Sequence, residues 1–110
     1  MLKLMIESNS RIEMLKEFLV NDSADDFSEY ALALEFEKTG SRKEALSHFE
    51  NILKRNPAYL AVYYQAGRMY EAEHDLSNAT SMYEKGIEVA AQQGNTKTLN
   101  ELRTALDMMD

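Results

Sequence analysis

His48 and His74 are the two imidazoles of this chain, so general-base or metal-centred chemistry would have to begin with them. They fall in different contexts, His48 on an exposed helical position beside Phe49 and His74 in a turn. Neither has a second ligand four residues away, the spacing that sets two ligands on one side of a helix. Asp22, Asp25 and Asp26 lie close enough together to suggest a calcium loop. The regular alternation of oxygen ligands and the closing glutamate of such a loop are missing, so these carboxylates are read as helix caps. The chain has no cysteine, which removes thiolate metal sites, cysteine nucleophiles and a disulfide framework together. Ser and Thr occur without a glycine-flanked nucleophile turn, a phosphate-cradling glycine loop or a histidine partner. The expectation is a chain that is not an enzyme and that uses no metal and no cofactor. The chemistry left to it is recognition, for which exposed Tyr, Phe and Arg side chains are suited.

Composition narrows the class of partner. The 110 residues are 45% apolar and 28% charged, with one Pro and four Gly, which is enough for one modest core rich in helix formers. The net charge of −7 works against phosphate backbones and anionic lipid surfaces, so neither nucleic acid nor membrane is an expected partner. The opening run from Met1 to Ile6 meets a charge at Glu7, short of the roughly 7–15 apolar residues of a secretory core. Nothing elsewhere approaches the roughly 20 apolar residues of a membrane-spanning helix. A soluble, cytoplasmic protein is the default expectation.

The elements that must position these side chains are helices throughout. Ser10 opens a capping box with Glu13, and Ile12, Leu15, Phe18 and Leu19 recur at helical spacing, so a first helix is expected over 10–20. A second runs from about Asp25 to Lys38, with Thr39-Gly40 as its exit. Ser41 and Glu44 form another capping box, and the third helix turns Leu46, Phe49, Ile52 and Leu53 inward before ending near Arg55. Asn56 as cap and Pro57 as first helical residue then open a fourth helix reaching about Glu73. Asp75 caps a fifth that reaches about Gln93, and after Gly94-Asn95 a final helix over 96–109 carries the stripe Leu99, Leu102, Leu106 and Met109.

These helices repeat. Leu32-Ala33 with Phe36, then Ala45 with Phe49, returns as Ala66-Gly67 with Tyr70, then Ala79 with Tyr83, every position displaced by 34 residues, as 33 to 67 shows. One helix pair has been built twice, because each pair leaves an apolar face that a neighbour must cover. Ala33, Gly67, Ala45 and Ala79 take bulk out of the helix contacts, and Phe36, Phe49, Tyr70 and Tyr83 are expected to fill the space between pairs. At these residues the chain resembles the tetratricopeptide repeat family, whose unit carries a small-residue and aromatic step, an alanine and aromatic step and a closing proline. The closing proline is Pro57 in the first unit and is replaced by Ala91 in the second. The large aromatic near the start of a unit is matched by Tyr63, whereas Glu29 with Tyr30 beside it stands in the first unit.

The resemblance implies an all-α, right-handed superhelix of antiparallel helix pairs with about six helices in one domain over 1–110. Its parts are a capping helix at 10–20, repeats at 26–59 and 60–93, and a second capping helix at 96–109 that keeps Leu99, Leu102 and Leu106 in the core. It also implies a protein or peptide ligand held in a concave groove lined by the first helix of each pair. By position that groove takes Phe27, Tyr30, Leu34 and Lys38 from the first unit and Tyr64, Gln65, Arg68 and Glu71 from the second, with Tyr30, Tyr64 and Arg68 as anchors. The alternative for Phe27 and Tyr30 is to pack beneath the first helix. The clamp with which some family members hold a C-terminal carboxylate is missing, since Tyr30, Leu34 and Gln65 occupy its positions; a peptide that is partly apolar or basic suits the acidic surface better. A protein-interaction adaptor or scaffold is the leading expectation. The rival is a structural protein whose end stripes, Leu2-Met5-Ile6 and Leu106-Met109, join copies into a homodimer or stack.

Overall fold

The computed structural model describes residues 2–109, Leu4 by its backbone alone. It contains six helices, α1 (Leu2–Asn21), α2 (Asp26–Lys38), α3 (Arg42–Arg55), α4 (Leu60–Ala72), α5 (Leu76–Gln93) and α6 (Thr96–Asp107). No strand occurs among the described residues, so the all-α class expected from the pattern is the one observed. The helices form two compact units, α1 to α3 ending at Pro57 and α4 to α6 beginning at Ala58. In the first unit α2 packs against both α1 and α3, and in the second α5 packs against both α4 and α6. Residues 1 and 110, the limits of the expected domain, lie outside the described residues.

Local chemistry sets several boundaries. Asp25, Asp75 and Asn95 each accept a hydrogen bond from the backbone N–H three residues on, at Ser28, Asn78 and Thr98, which satisfies amides that the first turn of a helix leaves over. α5 ends at Gly94 in the left-handed conformation, φ 67°, with its N–H and that of Asn95 returned to carbonyls of the last turn. The turns from α2 to α3 and from α4 to α5 are built alike. Gly40 has φ 84° and His74 has φ 61°, and the N–H of the following residue, Ser41 or Asp75, bonds back to Phe36 or Tyr70.

Other boundaries differ from expectation. α1 begins at Leu2, about two turns ahead of the start expected at Ser10, so Ser10 is an exposed residue inside a helix and no capping box forms there. Contacts to α2 hold that helix in place, through buried Ser8 and Ile12, and these lie outside the reach of any local signal. Ser41 does stand at the start of α3, but its side chain makes no capping bond. α4 starts at Leu60, with Pro57 left in the turn; Asn56 closes α3 instead, its N–H bonded to the Ile52 carbonyl at 2.7 Å. α6 stops at Asp107, before Met109.

The repeated small residues sit where helices touch. Ala33, Ala45 and Ala79 are fully buried. A Cβ on Gly67 would fall 2.4 Å from the Tyr83 ring, and one on Gly86 would fall 2.7 Å from Tyr63 Cβ and 3.0 Å from a Leu102 methyl. Tyr83 therefore fills space inside its own hairpin, and Phe49 likewise packs 5.7 Å from the Tyr30 ring of its own pair. In the second hairpin the glycine creates the gap, and the Tyr83 ring takes it. Leu102 is fully buried and Leu99 and Leu106 are half-buried, as a core stripe requires.

Candidate functional site

On α2, the residues Phe27, Tyr30, Leu34 and Lys38 recur at three- and four-residue steps and so share one side of the helix. Phe27 is 74% exposed, which removes the alternative of packing beneath the first helix. Tyr30 and Leu34 are half-buried, Tyr30 leaning on Phe49 of α3. Lys38 reaches Glu35 Oε1 at 3.3 Å. The side thus offers an apolar strip with a cation at its C-terminal end.

On α4, Tyr64 is exposed, its ring 6.4 Å from Tyr83. Arg68 Nη2 donates to Gln65 Oε1 at 2.7 Å, which holds the guanidinium along the helix surface. Glu71 is drawn the other way, accepting the Tyr83 hydroxyl at 2.5 Å. Burial, reinforced by that carboxylate, pushes the Tyr83 phenol far above its usual value, so it stays a donor. Tyr64 also borders an open cavity of about 470 Å³ shared with Asn100, Glu101, Thr104, Ala105 and Met108 of the α6 segment. Met108 is 77% exposed beside it. Tyr64 and Arg68 are therefore presented at the surface with Gln65 half-buried between them, while Glu71 is tied into the hairpin.

Two carboxylates that sequence reasoning did not select dominate the electrostatics of the first unit. Glu29, 4% exposed, accepts His48 Nδ1 at 2.7 Å, Asn51 Nδ2 at 3.3 Å and Arg55 Nη2 at 2.6 Å, and Arg55 also bonds Asp26 at 2.7 Å. Burial raises the Glu29 pKa, but the bonds from His48, Arg55 and Asn51 outweigh it and hold the carboxyl below its ordinary value. The signal was present, since Glu29 stands where the second unit has the buried Tyr63, with two cationic or imidazole groups later in the chain to receive it. His48 is not simply exposed as expected. It lies half-buried, stacked on Phe36 with centroids 5.5 Å apart and planes 4° off parallel. The second carboxylate, Glu35, binds Arg11 Nε of α1 at 2.8 Å. Burial raises its pKa too, and the bonds from Arg11, Ser8 and Lys38 bring it below the usual range.

Among the described residues, no group of three or more His, Cys, Asp and Glu side chains is arranged to hold a metal ion, and no helix is long and apolar enough to cross a membrane.

No protein-family model matches the chain. It is 24% identical, over 99 residues, to a TPR repeat-containing protein of Pseudomonas aeruginosa, the match spanning 90% of this chain and 94% of that protein. Among solved structures it is similar to a tetratricopeptide repeat domain protein from Salinibacter ruber, 39% identical with a TM-score of 0.72, covering 74% of this chain and 83% of that one. A protein from Bordetella parapertussis, 21% identical with a TM-score of 0.76 over 87% of this chain and 84% of its own, shares the fold.

Proposed function

The chain belongs to the tetratricopeptide repeat family, and from that premise we propose that it acts in the cytoplasm as a non-catalytic adaptor, each unit offering a peptide or partner helix the exposed side of its own helix, α2 in the first and α4 in the second. The observation that carries this reading is the exposure of large apolar groups: Phe27 on α2, and Tyr64 on α4 with Met108 from the end of α6 beside it. Burying rings of this kind against a partner, with Arg68 at hand for charge-assisted hydrogen bonds, is how interfaces concentrate their energy. The acidic surface favours a partner that is apolar or basic where it touches. Glu71 has a smaller part in this reading than Tyr64 and Arg68, because Tyr83 already occupies it.

The test is affinity capture from the native cell with the wild-type chain and with Tyr64→Ala/Arg68→Ala. The double variant should unfold at the same temperature and lose its specific partners; capture of the same proteins in the same amounts would remove the α4 side from the reading. A second reading, pairing of copies into a homodimer, draws on exposed Leu2, Met5 and Ile6 at the start of α1. Light scattering across a concentration series decides it, since a constant monomer mass excludes pairing.

A further inference from the structure

α1 and α6 each pack on the central helix of their own unit, but they turn different chemistry to solvent. The exposed positions of α6 include Asn100, Thr104 and Asp107, a polar outer side of the kind that closes a repeat array. α1 buries Ser8 and Ile12 and half-buries Leu15 and Leu19 on its seated side, yet leaves Leu2, Ile6, Met14 and Val20 exposed. Away from the seated side runs a stripe at helical spacing, Lys3, Ile6, Ser10, Met14 and Glu17, all of it exposed. Its steps are three, four, four and three residues, and its chemistry reads cationic, apolar, small, apolar, anionic. The spacing is therefore the same in both directions from Ser10, while the charge changes sign. A surface with that pattern complements itself when one copy is reversed.

We propose that this side of α1 is the interface of a two-fold homodimer in which two α1 helices lie antiparallel, with the two Ser10 residues at the axis. Lys3 of each copy then faces Glu17 of the other, and Ile6 faces Met14, so every contact occurs twice, as an isologous interface requires. The small Ser10 side chain lets the helices approach where they cross. Glu7 and Glu13, which the same reversal sets level with one another, project to opposite flanks of the stripe and do not meet. A parallel pair would instead set Lys3 against Lys3 and Glu17 against Glu17, which like-charge repulsion opposes. A separate protein would need this alternation in reverse order, and a second α1 already supplies it; that charge complementarity selects a second copy as the occupant. The stripe spans about 21 Å at 1.5 Å per residue, so the interface is small and the pairing depends on concentration. The arrangement rests on the homodimer reading given above and specifies its surface: of the residues that reading draws on, Ile6 lies in the contact, Leu2 on its flank and Met5 outside it.

Sedimentation equilibrium of the full-length chain over a concentration series tests the arrangement, with Lys3→Glu and Glu17→Lys as variants. The wild type should dimerise. Each variant alone turns two opposite-charge contacts into like-charge ones and should weaken the dimer at least about tenfold. An equimolar mixture of the two variants brings opposite charges together again at both contacts. It should dimerise about as tightly as the wild type, a recovery that also requires both variants to be folded. A monomeric wild type across the series overturns the proposal together with the homodimer reading. Dimers indifferent to the single charge changes, or no recovery on mixing, overturn this arrangement and leave pairing to another surface.

Discussion

Gly67 of α4 lies flat against the ring of Tyr83 of α5, so close that a Cβ would meet Cε1 at 2.4 Å. The ring has little freedom to retreat, because Tyr83 is 1% exposed and its hydroxyl is bound to Glu71. Gly67→Ala returns about 1 kcal/mol of helix propensity but overpacks the contact at a cost of about 1–3 kcal/mol or more. With the clash falling on a held ring, net destabilisation is expected. Urea unfolding measures it, and a midpoint equal to or above wild type would show that the Tyr83 ring can move aside.

His74 occupies the left-handed position that Gly40 holds in the equivalent turn. A side chain there pays a steric cost that glycine does not, so His74→Gly should raise stability by about 0.5–1 kcal/mol after allowance for the more flexible unfolded chain. A loss of stability by the same measurement would mean that the imidazole itself contributes to the turn.

Acid should unfold the first unit through its carboxylates. Glu29 and Glu35 are both held below the ordinary glutamate value of 4.5 in the fold. In the unfolded chain their hydrogen bonds are gone, so as pH falls the unfolded state takes up protons first. Their contribution is therefore complete above the ordinary value and is lost as pH falls below it through the folded values. Unfolding midpoints from about pH 7 to about pH 3 should stay level and then drop, and Glu29→Gln/Glu35→Gln should shrink the drop. Glu29→Gln alone should cost about 1–3 kcal/mol at neutral pH, since Arg55 and His48 lose a charged acceptor. An acid limb of unchanged depth in the double variant would assign the sensitivity elsewhere.

Helix caps separate real starts from apparent ones. Asp75→Ala should cost about 1 kcal/mol, because the side chain caps α5 through the Asn78 N–H. Ser10→Ala should be neutral or slightly stabilising, because Ser10 is an exposed residue within α1, where alanine is the better helix former. A loss at Ser10 equal to that at Asp75 would place a helix start there after all.

The order and type of the helices were legible because their signals are local. Asp25, Asp75 and Asn95 act on amides three residues away, Gly94 on its own φ, and the alternation of small residues and rings marks where one helix must approach another. Pro57 and Ser10 misled for the same reason. Each has the right residue type for a helix start, but Pro57 fits a turn equally well, and the contacts of Ser8, Arg11 and Ile12 with α2 carry α1 back to Leu2.

An all-α chain of repeated hairpins follows from residue order alone, since side-chain size and backbone preference operate within a turn or two and survive in any context. Which charges are buried is fixed later, by helix packing. Whether Glu29 and Glu35 face water or protein depends on Arg55, His48 and Arg11 arriving from other helices, and desolvation with its compensating hydrogen bonds exists only once those helices have packed. The same holds for the choice of ring that fills the gap above Gly67, because a space left by an absent side chain belongs to no residue until the neighbouring helix is in place.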